Sequence, residues 1–432
     1  MVKKVAIIGA GSCGLLLAHY LLRRDEKYQV DIYERRNDPR IVEFSKARTF
    51  PITLNERGIK ALSKIEGLID GLRDISVEMM GTIFHQKNGK KRVRSRKKPL
   101  TALDRTNLVI LLLEKLTQKY GDRRLNIHFN CECTQVNFTA KTVKLTKLVT
   151  QEDFTNNYDL LIGADGSRSA VRKHFLDTEL FEFQQKHVPT DYKSIYLPKP
   201  ETGIKLEPDS IHSWRNDDGT TILLLQQADE TIGGAILFFA KQTQLASAST
   251  TEELIKYFQE NFPDVAKLIS ISAAEDFLQK PISKILTIRC NRYHQGDSVL
   301  LMGDAAHAVS ASIGQGCNAA LEDVLVFDNI LDEYSDNIAT AIEQFTIRRH
   351  QDAIALVELG DYAFPLSKGL FIEFILREQM AKTLHRISPQ RFPASLSELV
   401  FETAAPYSEI LNLYQGWISK VKKSNEKFLA NL

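Results

Sequence analysis

The stretch "KKVAIIGAGSCGLLLAHYLLRR" near the start of the chain restricts the possible folds more than any other feature. An apolar run that predicts a buried strand leads directly into a helix, through a G-x-G-x-x-G turn at residues 9–14. In such a turn Gly9 permits the tight bend, Gly11 lets the backbone approach a pyrophosphate, and Gly14 lets the helix pack closely on the strand. The pattern predicts an α/β fold whose first strand–helix turn binds a dinucleotide.

The segment "QVDIYER" supports this prediction. It reads as a second strand, and it ends at Glu34, 20 residues after Gly14, where a carboxylate that binds the ribose is expected. A structural turn followed by a surface glutamate is the alternative. The complete strand–turn–helix–strand context favours the nucleotide site.

Two further segments also place a glycine-containing turn after an apolar strand. "YDLLIGADGSRSAVRKHF" does so at Asp165-Gly166, and "SVLLMGDAAHAVSASIGQGCNAALED" does so at Gly303-Asp304. Bulky side chains are almost absent from Gly303 to Ala320. Ligands of open α/β sheets bind beyond the carboxyl ends of the strands. We therefore expect three loops to meet at one long, flat ligand, with tight packing of small residues as the alternative.

In this order the three motifs resemble those of the FAD-dependent aromatic hydroxylases, the single-component flavoprotein monooxygenases. The resemblance implies non-covalent FAD, NADPH or NADH as co-substrate, and O₂. It implies hydroxylation or epoxidation of a small aromatic or other electron-rich substrate through a flavin C4a-hydroperoxide. The cofactor carries this chemistry, so no catalytic side chain is predicted. A helix that begins near Gly316 would stabilise negative charge on the reduced flavin.

The resemblance also implies which residues contact FAD. They are Gly9, Gly11, Ser12, Cys13, Gly14, Glu34, Arg35, Arg48, Arg105, Val136, Asp165, Gly166, Arg172, Gly303, Asp304, Gly314, Gln315, Gly316, Cys317 and Asn318. His307, close to Asp304, is interpreted as structural.

Within that family the chain is most similar to the kynurenine 3-monooxygenases, and it departs from them where the substrate should bind. An arginine of that group corresponds to Thr82, an asparagine to Asp361, a glutamate to Phe364 and a tyrosine to Ser397 or its neighbour. A second tyrosine falls within "RKKPLTALDR", which contains none. The predicted substrate contacts are Thr82, Phe84, Phe364 and Ser397.

A site that loses its polar partners loses most of its selectivity. We therefore expect a monooxygenase with a different substrate, and kynurenine is the second candidate. Two alternatives stay open: a flavin-dependent reductase or dehydrogenase of an isoprenoid-like substrate, and a non-enzymatic FAD-binding redox module.

The resemblance implies an α/β fold of the p-hydroxybenzoate-hydroxylase type, in which a Rossmann-like FAD-binding domain is interleaved with an antiparallel substrate sheet. We expect the FAD-binding domain at residues 1–75, 101–180 and 286–350. The substrate sheet is expected at 76–100 and 181–285, and a C-terminal helical region at 351–432.

Composition excludes several classes of function. A net charge of +2 argues against nucleic acid as a partner. The five cysteines form no C-x-x-C pair, which predicts reduced thiols and no metal site. With neither a signal peptide nor a long apolar run, we expect a cytoplasmic protein without a transmembrane segment.

The segment from Lys87 to Lys98 carries eight basic residues in twelve. Its Asn88-Gly89 pair predicts an exposed hairpin with a type I′ turn. The alternatives are steering of an acidic substrate, of NADPH, or toward a membrane surface.

Overall fold

The computed structural model describes residues 2–42, 51–121, 124–199, 206–239, 241 and 243–430. The predicted FAD contact Arg48 lies outside the described residues.

The first motif opens a six-stranded sheet. Its strands are β1 (Lys3–Ile8), β2 (Tyr28–Glu34), β6 (Leu125–Phe129), β10 (Leu160–Gly163), β16 (His294–Gln295) and β17 (Val299–Leu301). They follow the order β16-β17-β10-β1-β2-β6, and all pairs are parallel except β16–β17. The central strands are apolar along their length, as expected for a parallel sheet covered on both faces. Because β1, β10 and β17 are neighbours, the three predicted loops leave the same edge of the sheet.

A larger sheet of eight strands is mostly antiparallel. Its strands are β3 (Pro51–Leu54), β4 (Ser76–His85), β5 (Lys91–Asp104), β11 (Phe183–Leu197), β12 (Ser210–Arg215), β13 (Thr221–Gln226), β14 (Ile232–Phe238) and β15 (Ser283–Cys290). A separate three-stranded sheet contains β7 (Cys131–Asn137), β8 (Thr142–Lys147) and β9 (Glu152–Asn157).

The helices surround these sheets. They are α1 (Ser12–Leu22), α2 (Glu56–Ser63), α3 (Leu68–Asp74), α4 (Arg105–Tyr120), α5 (Ala170–Phe175), α6 (Thr251–Asn261), α7 (Pro263–Ala266), α8 (Ile271–Gln279), α9 (Asp304–His307), α10 (Gly316–Glu333), α11 (Ile338–Tyr362), α12 (Lys368–Ile387), α13 (Leu396–Glu402) and α14 (Tyr407–Ala430).

The large sheet extends beyond the predicted bounds of the substrate domain. β5 continues to Asp104, because its second half pairs with both β4 and β3, and β15 continues to Cys290. Helix α11 likewise crosses the expected border at residue 350. Single strands and helices therefore extend across the expected domain boundaries, and the domain division stays a prediction.

The basic hairpin is exposed, but the prediction of a type I′ turn is wrong. That turn needs a positive φ at both central residues, and of Asn88 and Gly89 only Gly89 has one, at 77°. The backbone N–H of Gln86 donates to the carbonyl of Lys90 at 2.9 Å, which closes a three-residue loop. Such a loop combines a type I turn with a glycine bulge.

A buried ionic cluster joins the loop after β17 to helices α10 and α11. The carboxylate of Asp323 accepts hydrogen bonds from the backbone N–H of Gly303 at 2.9 Å and from Arg349 at 2.8 Å. It also lies 2.7 Å from Nε2 of His307. Although burial opposes ionisation, His307 and Arg349 hold the pKa of Asp323 below its usual value. The interpretation of His307 as structural agrees with this contact.

We expect Asp323→Asn to lower the free energy of unfolding by about 3 kcal/mol or more, because it breaks a buried charge pair. Urea unfolding of the purified protein measures this change. The matched control is Glu333→Gln, whose ion pair with Arg348 lies at the surface. A variant at Asp323 that is as stable as this control would contradict a structural role for the cluster.

Candidate cofactor and substrate site

Two glycines of the first turn are required by the geometry of the protein itself. Gly9 has a φ of 107°, and a Cβ atom there would lie 2.5 Å from the carbonyl oxygen of Ala164, at the end of β10. A Cβ atom on Gly14 would lie 2.2 Å from the carbonyl oxygen of Gly9. These positions therefore bring β1, β10 and α1 close together, as the motif predicts.

Gly11 is different, because neither strain nor a protein neighbour requires glycine there. Its φ of −78° and ψ of 178° suit any residue, and a Cβ atom would meet nothing within 4 Å. A side chain at Gly11 would extend into an open recess at the start of α1. This is the feature expected where a ligand approaches the backbone.

The loop after β17 borders the same recess. The Oγ of Ser12 lies 3.8 Å from the Sγ of Cys317, and a Cβ atom on Gly303 would lie 3.4 Å from the Sγ of Cys13. On the other side of the loop, a Cβ atom on Gly316 would lie 3.9 Å from the Oδ1 of Asp304. The structure thus brings the predicted residues of the first and third motifs together.

Asp304 is exposed to this recess although protein surrounds it. Burial raises the pKa of its carboxyl group, and His307 and Arg105 act in the opposite direction. An accessible carboxylate inside such a recess can accept hydrogen bonds from the hydroxyl groups of a cofactor. Arg105, at the start of α4, is near enough to contribute positive charge to the same region.

The loop at residues 314–318 is held in place by its own side chains. Gln315 accepts hydrogen bonds from Tyr407 at 3.0 Å and from Asn55 at 3.1 Å. Asn318 donates to the carbonyl oxygen of Thr53 at 2.9 Å. The side chain of Gln315, the residue before α10, does not cap the helix, so within the described residues it leaves the first backbone N–H groups to a ligand.

Glu34 and Arg35 lie at the end of β2. One carboxylate oxygen of Glu34 accepts the backbone N–H of Ala10 at 2.9 Å, which places the carboxylate beside the glycine turn. The side chain of Arg35 is exposed.

The second motif is connected to the third through Arg172. This arginine donates to the carbonyl oxygens of Ala305 at 2.7 Å and Ser167 at 2.6 Å. Asp165 accepts the backbone N–H of Ala170 at 2.6 Å, whereas its other carboxylate oxygen is buried without a hydrogen-bond partner. Burial raises the pKa of Asp165. The unpartnered oxygen, the bare backbone at Gly11 and the uncapped α10 all fit a bound dinucleotide.

Val136, like the exposed Arg35, is a predicted FAD contact that these interactions do not connect to the recess. Its side chain is buried in the three-stranded sheet, where the residue pairs with Val143. Its contact with FAD stays a prediction.

Two of the predicted substrate residues meet at a small apolar cavity. Phe364, after α11, and Ser397, in α13, line it together with Ile313 and Phe401. Ile313 immediately precedes Gly314, so the cavity lies next to the start of the loop at residues 314–318. Phe84, on β4, does not line this cavity and is 36% exposed.

Asp361 does not present a free polar group to the cavity. Its carboxylate forms an ion pair with Arg289 at 3.3 Å. The aspartate is thus already engaged within the protein.

Arg96 is a residue that the sequence reasoning missed. Its guanidinium donates to the Oγ1 of Thr82 at 3.4 Å and lies 5.2 Å from the ring centre of Phe401, which lines the cavity. Its Nε is buried without a hydrogen-bond partner. Within the described part of the chain Arg96 has no ion pair, and burial lowers its pKa to about 10.

The signal that could have located Arg96 is the alternation of β5. Thr82 pairs with Arg94, and residues two apart on a strand share a face. Arg96 therefore lies on the face of Thr82. The structure therefore places a cation beside Thr82, on the neighbouring strand.

Residues 3–358 match the sequence profile of a family described as "FAD binding domain". The chain belongs to the FAD-dependent monooxygenases. It is 29% identical to kynurenine 3-monooxygenase of Sus scrofa, over 99% of this chain and 90% of the relative. It is 31% identical to kynurenine 3-monooxygenase of Drosophila willistoni, over 95% of this chain and 89% of the relative.

Solved structures confirm the predicted fold. The tetrameric form of 2-methyl-3-hydroxypyridine-5-carboxylic acid oxygenase superposes with a TM-score of 0.69 at 20% identity, over 84% of this chain and 91% of that one. The protein PqsL of P. aeruginosa, in complex with 2-aminobenzoylacetate, gives a TM-score of 0.65 at 20% identity, over 84% and 95%.

As a member of this family the protein is an enzyme that uses FAD, a nicotinamide nucleotide and O₂. Among the described residues, no helix is long and apolar enough to cross a bilayer. Within the same residues, no group of three or more His, Cys, Asp or Glu side chains could hold a metal ion.

We expect Gly11→Val to abolish FAD binding without unfolding the protein. The new side chain fills the recess, so the affinity for FAD should fall at least ~10-fold, the equivalent of about 1.4 kcal/mol. Titration of the apoprotein with FAD, followed by flavin fluorescence, measures the loss. The control is Gly416→Val, because a Cβ atom there also meets nothing within 4 Å, on α14. Full flavin content in the Gly11 variant would contradict the assignment of the recess.

Proposed function

We propose that this protein is an NAD(P)H-dependent monooxygenase that hydroxylates a small aromatic substrate carrying an anionic group. Arg96, a half-buried cation without an ion pair among the described residues, is the observation that supports this proposal. It lies beside an apolar cavity next to the start of the loop at residues 314–318.

FAD, when bound, supplies the activation of O₂. The protein contributes position and environment. The uncapped start of α10 can stabilise negative charge on the flavin, and Asp304 can hold its hydroxylated side chain. The apolar side chains of Ile313, Phe364 and Phe401 surround a space of about 10 Å³, so they must move apart to admit an aromatic ring, which they can then orient and shield from water.

The anionic group follows from the state of Arg96. An arginine that is partly removed from water needs hydrogen-bond acceptors for its five N–H groups. Among the described residues Arg96 contacts Thr82 at a long distance and the face of Phe401, and the carboxylate of Glu402 acts on it without forming an ion pair. A substrate carboxylate can bind a guanidinium with two parallel hydrogen bonds and neutralise it.

Kynurenine is the second candidate, and the names of the relatives favour it. Thr82 differs from the arginine of those enzymes, and Asp361 is occupied by Arg289. These differences lead us to expect another substrate with the same kind of charge.

The decisive assay measures oxidation of NADPH and of NADH by the FAD-loaded enzyme, with kynurenine, with other aromatic acids and with their neutral amides. Mass spectrometry of products formed under ¹⁸O₂ identifies oxygen insertion. We expect stimulation by one or more acids, weak stimulation by the matched amides, and a labelled hydroxylated product. Stimulation by the amides equal to that by the acids would contradict the anionic group. Labelled product from none of these compounds would contradict the proposed aromatic substrate.

Arg96→Gln should raise the KM of the acidic substrate at least ~10-fold, because one charge-assisted pair is lost, and should change the KM of its amide little. The matched control is Arg92→Gln, an exposed arginine on the same strand. The double variant Thr82→Arg, Arg96→Gln places the cation on β4 instead. We expect its KM for the acidic substrate to lie between those of the wild type and of Arg96→Gln. An unchanged KM in Arg96→Gln would contradict its role.

A further inference from the structure

The outer face of α12 carries a row of exposed apolar side chains. Ile372, Leu376, Met380 and Ile387 are 62%, 61%, 58% and 73% exposed. Their spacing of four, four and seven residues places them on one side of the helix. We call these four residues the outer stripe.

The core does not account for the outer stripe, because the opposite side of α12 already packs against the protein. Phe374 is 3% exposed and stacks on Trp417, and the buried Glu378 binds Arg94. The helix is therefore apolar on both faces. Single exposed apolar residues are ordinary, but an aligned row of them marks an interaction surface.

A groove opens next to the outer stripe. It has a volume of about 180 Å³, and it is lined mainly by apolar side chains of α12, of the turn before α13 and of α14. Met380 belongs to both the groove and the stripe. The apolar surface thus continues from the helix into a depression.

The charges around the stripe are positive. The basic hairpin runs beside α12, because Lys87 and Lys368 both bind Asp217 near the start of the helix, and Arg94 binds Glu378 on the side away from the stripe. Between these contacts lies the exposed Arg92, which has no ion pair within the described ranges.

The other end of the helix is also basic. Arg386 and Arg391 are exposed and have no ion pair among the residues that the structure describes. The partly buried acidic residue Glu373 of α12 is neutralised by Arg377 and Lys420. A second copy of the chain would bring the same cations together, whereas an anionic surface would complement them.

We propose that the outer stripe and its basic surroundings dock the protein on an anionic lipid bilayer. Helix α12 lies parallel to the surface, its stripe enters the boundary between headgroups and acyl chains, and the arginines contact lipid phosphates. Such binding is peripheral, and it is independent of the substrate that the enzyme uses.

The test is co-sedimentation of the FAD-loaded enzyme with phosphatidylcholine vesicles, with and without phosphatidylglycerol, at low and high salt. We expect binding only to the anionic vesicles, and weaker binding at high salt because ions screen the arginines. The double variant Leu376→Glu, Met380→Glu should bind at least ~10-fold more weakly, since it places charge in the stripe. Val149→Glu, on the turn between β8 and β9, is the control, because Val149 is 78% exposed.

Flavin content and far-UV circular dichroism verify that each variant is folded. Equal binding of the stripe variant and the control would overturn the proposal, as would no binding of the wild type to anionic vesicles. Light scattering adds one more contrary outcome: a dimer that the stripe variant dissociates would assign the stripe to a second copy of this chain.

Discussion

The carboxylate of Asp323 is the point on which the cofactor side of this molecule depends. It binds the backbone of Gly303 at the end of β17, the ring of His307 in α9 and the guanidinium of Arg349 in α11. Burial opposes the charge of Arg349. Asp323 and the neighbouring acidic residues nevertheless hold the pKa of Arg349 above its usual value. One buried charge therefore determines where the third loop leaves the sheet.

The recess forms because Asp323 fixes the loop after β17 and because the glycines of the first turn carry no side chain. Gly9 and Gly14 let two strands and a helix approach more closely than a Cβ atom would allow, whereas Gly11 leaves space that no protein atom fills. The side chains of Gln315 and Asn318 are engaged with Asn55 and Thr53. The backbone groups that we expect to contact the flavin are thus held in position by the protein itself, and such preorganisation makes their dipoles effective.

On the proposed substrate side, the cation lies on a different strand from the position that comparison with the relatives indicates. Thr82 and Arg96 lie on one face of two paired strands, so an arginine on either strand can present its guanidinium to nearly the same place. Asp361 shows the opposite outcome, because its pairing with Arg289 withdraws a polar group from the cavity. Comparison position by position singles out Thr82 and Asp361 but not Arg96.

Local patterns in the sequence were sufficient for the fold class and for most of the cofactor recess, because a glycine turn between a strand and a helix has only a few possible geometries. The pattern also located Glu34, Asp165 and Asp304 at strand ends. The prediction of a type I′ turn was wrong, because the two hairpin types differ in the sign of φ at one residue, Asn88.

What only the tertiary structure decided is which strands pair and which helix covers them. Arg96 lies beside Phe401 because α13 packs against β5, and the apolar face of α12 is exposed because α13 and α14 cover the opposite side. These contacts join residues far apart in the chain, and no local spacing encodes them.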